Sequence, residues 1–405
     1  MSVLLYIEVF FTSFLIYISL KSFSNNEFTL FLFSIFTVFY ILIRQILLLT
    51  NNYINFAILN PYIDNFNEEA LLYVFLYVSI NYFLFFIFYK IFIKKIYLHV
   101  KRYNKRRNLS KVIVFFFILG LFIFIGPFIG LVYIVYLFVY NYFINHKKKI
   151  LILFSLLFIL YFFSFTDDRR NWLFLILSIL FMIFVKIKNK NIIKIILSGF
   201  TALVVLSYIL VAFRTDGLFN YNAVFDRLTN NSNVLMAIFE IESDFPIVSD
   251  DVVLLFDGLE VKNTINFTYG INFFKPLYSF IPRDIWDDKP ISISRLFAKK
   301  FNSDFYVQGG SEPLTIYGEL FWNFGYFSFI FFIVFAYIAA TLDKHVKHAI
   351  LHNNESELAL YITLIALSFV LLRGPIDNFW LMYAIMFALI YIERAIPNFL
   401  FRKKR

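Results

Sequence analysis

The chain has no cysteine, so disulfide staples and thiol chemistry play no part in what it does. It also lacks a Gly-rich phosphate loop, a Ser-centred nucleophile elbow and any Cys/His cluster, and nucleotide-driven transport is not expected. The adjacent pairs Asp250-Asp251 and Asp287-Asp288 have no third ligand at helical spacing and read as solvated loop. No metal site and no cofactor is expected. A basic n-region and a small-residue cleavage site are missing from the first 20 residues, which read as a retained helix.

What is present is apolar surface. Hydrophobic residues make up 61% of 405 positions, 59 of them Phe, with a mean hydropathy of +0.75. Soluble chains hold roughly half apolar residues, so this is read as an all-α polytopic integral membrane protein. The net charge of +10 does not point to nucleic acid, because the basic residues fall in short runs between apolar segments, as in cytoplasmic loops. Apolar runs of about 20 residues place candidate helices at 3–20, 28–49, 70–93, 150–166, 173–187, 195–213, 320–342, 357–373 and 376–393. Residues 112–145 are too long for one crossing, and Gly126-Pro127-Phe128-Ile129-Gly130 near their middle predicts a hairpin. The expectation is about 11 transmembrane helices with one long extracytoplasmic loop. Residues 1–213 hold about eight helices, 214–319 the loop domain, and 320–405 about three helices.

The segment Lys94 to Lys111 carries eight Lys or Arg and is placed in the cytoplasm. Counting outward, the other basic segments also fall inside and the N-terminus outside. Residues 215–319 hold 15 Asp or Glu against 8 Lys or Arg, and are placed on the outer face. All five His then map inside, and the four Trp (Trp172, Trp286, Trp322, Trp380) map outside. Arg44, Arg169, Arg170, Arg214 and Arg373 lie at or near outer helix ends. Charges there are expensive and usually functional. Guanidinium forks onto phosphate oxygens, so these residues suit a lipid-linked diphosphate; snorkelling to headgroups or pairing with neighbours such as Asp167, Asp168 and Asp377 is the alternative.

Polar chemistry concentrates between Tyr269 and Tyr326. At Arg214, at Ile281-Pro282-Arg283-Asp284-Ile285-Trp286-Asp287-Asp288-Lys289-Pro290, and at Gly309-Gly310 followed by Gly318-Glu319-Leu320-Phe321-Trp322-Asn323-Phe324-Gly325, the chain resembles the oligosaccharide repeat-unit polymerases (Wzy-type O-antigen and capsule polymerases). The resemblance in detail covers about a quarter of the sequence. It implies a membrane glycosyltransferase that takes polyprenyl-diphosphate-linked oligosaccharide as donor and acceptor at the outer face of the inner or plasma membrane. The carrier diphosphate is a good leaving group, so the reaction is expected to need no metal. A separate chain-length regulator is a further candidate partner. On this reading Arg214, Arg283 and Arg373 form the diphosphate clamp, and Glu319 or Asp284 orients or deprotonates the acceptor hydroxyl. Arg170, Trp286, Lys289, Tyr317 and Trp322 are the candidate substrate-binding residues. An O-antigen ligase shares the plan, but its family pattern has a His in the outer loop, absent here. A flippase would need polar residues at mid-depth of the helices.

Overall fold

The computed structural model describes residues 3–51, 68–96, 135, 169–186, 244–278, 281–282, 284–374, 376 and 380. Among these residues the fold is helical and contains no strand. Four helices are long and apolar enough to cross a membrane, at Val3–Ser24, Phe28–Thr50, Glu68–Lys95 and Thr315–Leu351. These four are counted among the described residues alone. The predicted hairpin at 112–145, the helices at 150–166 and 195–213, and nearly all of 376–393 lie outside the described residues.

Helix α1 (Val3–Ser24) reverses through Asn25–Glu27 into α2 (Phe28–Thr37). The reversal has a helix-end geometry: Asn26 is left-handed at φ 55° and the Glu27 amide donates to Ser22 O at 2.8 Å, which satisfies a carbonyl at the end of α1. A π-helical turn at Val38–Leu42 joins α2 to α3 (Ile43–Asn51). Helix α4 (Glu68–Lys95) starts on Glu68 and Glu69 and finishes on Lys94 and Lys95, charges that complement its dipole at both ends. Helix α5 spans Arg169–Lys186 and α6 Asp244–Phe256. The short helices α7 (Ile293–Phe301) and α8 (Ser303–Val307) lie between α6 and α9 in the chain. Helix α9 (Thr315–Phe324) breaks at the 3-10 turn Gly325–Ser328 and resumes as α10 (Phe329–Leu351). Helix α11 (Glu355–Arg373) follows.

Packing centres on α4 against α10, with α1 on α2, α11 against α10 and α5, and α6 wedged among α4, α9 and the π-helical turn. Buried Ala336, Ala339 and Ala340 let α10 approach its neighbours closely. An aromatic seam joins the helices: the Phe33 ring stacks on Phe85 at 3.9 Å between centroids and Tyr317 on Phe332 at 5.3 Å. Tyr6 and Phe10 of α1, Leu76 and Ile80 of α4, and Ile330 and Val334 of α10 are exposed, as apolar side chains facing lipid would be.

The first turn of α2 has no local side-chain cap. Its exposed donors are taken instead by Asp343 of α10. Asp343 Oδ1 accepts from Thr29 N and Thr29 Oγ1, both at 2.9 Å, and Oδ2 accepts from Leu30 N at 3.3 Å and Tyr89 OH at 2.8 Å. Beside it, Glu27 is bridged by Lys90 at 2.8 Å and Lys347 at 2.7 Å. Burial raises the Glu27 pKa, but the two ammonium groups more than reverse this and hold it below the ordinary 4.5. A carboxylate depressed in the folded state stabilises above its unfolded pKa, and that stability is lost as pH falls through the lowered value. The apparent melting temperature of wild type in detergent is therefore expected to exceed that of Glu27→Gln at neutral pH. The gap should close as pH is lowered below 4.5, and a gap that stayed constant from pH 7 into that range would show that the bridges contribute nothing.

Candidate active site

Three residues of the Gly-Glu-x-x-x-Asn-x-Gly motif each tie α9 to a different part of the molecule, and its last glycine ends the helix. Gly318 lies against α6, where an added Cβ would stand 3.2 Å from Val252 Cγ2. Glu319, 2% exposed, turns its carboxylate to the segment that follows α11: Oε2 accepts from Ile376 N at 2.6 Å. Asn323, one helical turn on, accepts from Thr268 Oγ1 at 2.9 Å and from Phe273 N at 3.3 Å, while its own Nδ2 donates to Glu319 O at 2.8 Å. Gly325 ends the helix at φ 55°. The two segments so held also meet each other: Trp380 Nε1 donates to Phe273 O at 3.0 Å, and the two rings stack at 6.0 Å.

Arg373 is the last residue of α11 and is 8% exposed. Gly374 follows at φ 90°, and a Cβ placed there would lie 2.6 Å from Glu319 Oε1 and 3.7 Å from Thr315 N. Thr315, the first residue of α9, is fully buried at φ 59°. A left-handed conformation is costly for a β-branched residue, and such strain collects at functional sites. Gly374, Thr315 and Glu319 therefore form one tightly packed junction, and Arg373 is covalently next to it.

Helix α9 begins at Thr315 and not at residue 320, so Glu319 lies inside a helix and not in the loop ahead of it. Tyr317 is fully buried, with its hydroxyl sharing a 2.8 Å hydrogen bond with Thr37 Oγ1. Trp322 is buried too, its Nε1 donating to Asn266 O at 2.9 Å. Both rings are thus packed inside the protein, Tyr317 on Phe332 and Trp322 beside Phe297. Asp284 is exposed. Trp286 is half-buried and its ring lies 5.2 Å from that of Tyr278. Lys289 Nζ donates to Ile281 O at 2.7 Å, and Pro282 O accepts from the amides of Ile285 and Trp286, so this loop is folded on itself. Arg170 is in the first turn of α5. Arg214 and Arg283 lie outside the described residues.

Two expectations change. Asp250 and Asp251 are not solvated loop: they sit on α6, 1% and 4% exposed. Asp250 forms a two-point ion pair with Arg44, Nε to Oδ1 at 3.0 Å and NH2 to Oδ2 at 2.9 Å, which places Arg44 on a protein partner. Burial pushes the Asp250 carboxyl up, and Arg44 pulls against that shift. Asp251 is raised well above its ordinary value by burial and by the charges of Glu312 and Asp250. Glu312, bonded by Asn302 Nδ2 at 2.8 Å, is raised by burial as well. Asp251 and Glu312 were not among the candidates, although the apolar positions flanking Asp250-Asp251, Val248 and Val252 to Phe256, carry the helical pattern that places the pair indoors. Glu8, fully buried on α1, was missed too; its signal is a lone carboxylate within an apolar run. Among the described residues no group of three or more His, Cys, Asp or Glu could hold a metal ion.

No family model matches the chain and no solved structure matches it. It is 28% identical over 125 residues to the O-antigen polymerase of Salmonella typhimurium (strain LT2) and, to the same extent, to that of Salmonella typhi. The match spans 30% of this chain and 30% of each of those polymerases. With its apolar helices, this partial likeness identifies a membrane protein related at a distance to O-antigen polymerases.

Proposed function

We propose that the protein is a membrane glycosyltransferase that polymerises polyprenyl-diphosphate-linked oligosaccharide repeat units into surface polysaccharide, on the outer face of the cytoplasmic membrane. The observation that carries this reading is the 125-residue likeness to two O-antigen polymerases. The junction beside the buried Arg373 supports it. In the reaction, an acceptor sugar hydroxyl attacks the anomeric carbon of the donor. The bond from that carbon to the diphosphate oxygen breaks, the diphosphate leaves with the electron pair, and the hydroxyl proton passes to a carboxylate. Arg214, Arg283 and Arg373 stabilise the charge that develops on the leaving diphosphate. The outer loop contains no His, so its carboxylates are the groups able to take the proton.

Purified full-length protein given a carrier-linked repeat unit should extend it without any other protein. Because each charge-assisted bond is worth about 1.5–3 kcal/mol and lysine lacks the planar fork, Arg→Lys at 214, 283 or 373 should lower turnover by about 10- to 100-fold, nearly as much as Arg→Ala. Near-normal polymer formation by all three lysine variants, at matched membrane abundance, rules out the clamp.

A further inference from the structure

We infer that Glu319 is a positioning residue, whose carboxylate holds the turn after α11 and so sets the place of Arg373, and that it is not the group that takes the acceptor proton. The inference rests on the glycosyltransferase reading for its catalytic consequence, and on the geometry of the junction for the hold itself.

A general base must offer an oxygen within about 2.6–3.2 Å of the hydroxyl it deprotonates. Glu319 commits Oε2 to a backbone amide and packs Oε1 beside Gly374. Oε2 takes the amide of Ile376 at 2.6 Å, and Oε1 occupies the space that a side chain on residue 374 would fill. The Ile376 amide is fully buried, and the carboxylate supplies its acceptor, as a buried backbone donor requires. Asp343 does the same for α2 from another helix. In both places a buried carboxylate on one helix accepts from a buried amide far away in the sequence.

The hold reaches Arg373 through the chain. Gly374 is covalently next to it, and holding Gly374 and Ile376 in place constrains the last turn of α11. Asn323 holds the opposing turn at 268–273, and the Trp380–Phe273 contact joins the two. Glu319 and Asn323 thus form a two-point rail on α9 against which the segment following Arg373 is set. Glutamine keeps one oxygen able to accept from Ile376 N, whereas alanine keeps none.

The test uses the full-length protein in detergent, with polymer formation measured across pH and amide hydrogen exchange measured over residues 374–380. Glu319→Gln is expected to keep the wild-type shape of the pH profile and to lose less than about tenfold in turnover, whereas removing a general base costs on the order of 100-fold or more. Glu319→Ala should speed exchange over 374–380 by about tenfold, the equivalent of one lost hydrogen bond. A Glu319→Gln variant that loses the basic-side dependence on pH and 100-fold or more of its turnover would overturn the inference. So would unchanged exchange in Glu319→Ala. If wild type fails to extend carrier-linked repeat units at all, the glycosyltransferase reading falls, and the exchange measurement alone decides whether Glu319 holds the turn.

Discussion

Gly374→Ala should reduce polymer formation by about 100-fold or more at matched membrane abundance, because a displacement near 1 Å at a reacting group can cost that much. Two causes act together. The residue sits at φ 90°, where a Cβ adds strain of about 1–3 kcal/mol. That Cβ would also meet Glu319 Oε1 at 2.6 Å, so the carboxylate, the turn or Arg373 must move. Gly309 separates the two causes: it has φ 88° but nothing within 4 Å of its Cβ position. Gly309→Ala should therefore incur only the backbone strain and keep most of its turnover. Equal losses in the two variants, or an alanine at 374 with turnover within twofold of wild type, would show that the junction does not set Arg373.

The second large effect is expected at Asp343. Its two oxygens serve four donors on α2 and α4, and all of them are buried. Orphaning a buried donor costs about 1–3 kcal/mol, so Asp343→Ala should destabilise the helix assembly by about 4 kcal/mol or more, among the larger effects of single substitutions. Asp343→Asn keeps one accepting oxygen and should fall between alanine and wild type. The measurement is the apparent melting temperature in detergent together with the amount of protein recovered from membranes. Alanine and wild type melting within a degree of each other would mean that water or neighbouring groups satisfy the α2 amides without Asp343.

How far the sequence could be read follows from where each signal resides. The spans at 3–24, 28–50 and 68–95 announce themselves as apolar runs, and their observed limits lie within a few residues of those expected. The start of α9 does not, because Gly318 and Glu319 interrupt the apolar window that begins at Leu320. The interruption is tolerated in part because an amide 57 residues away donates to one oxygen of the carboxylate. The Asp250-Asp251 pair reads as solvated loop for the same reason, and Arg44 stays open between a diphosphate and a carboxylate partner. A charge looks solvated until its partner is known, and Arg44 and Asp250 are 206 residues apart. The Gly-Glu-x-x-x-Asn-x-Gly motif was legible as a unit, yet its meaning as a set of ties to α6, the 268–273 turn and the segment after Arg373 exists only in three dimensions. Arg214 and Arg283 stand as sequence expectations within the proposed function.

The cap on α2 also has a consequence in time. Thr29 and the Asp343 oxygen that receives its amide are separated by 314 residues. At a synthesis rate of about 5–20 residues per second, the ribosome needs roughly 15 to 60 s to deliver the one after the other. Throughout that interval the α1–α2 hairpin is in the bilayer with its turn-side amides uncapped, served by water at the membrane surface or by the insertion machinery. The N-terminal hairpin therefore reaches its final set of hydrogen bonds only when the helix that carries Asp343 has entered the membrane beside it, and completion of the bundle, not its initiation, closes the first turn.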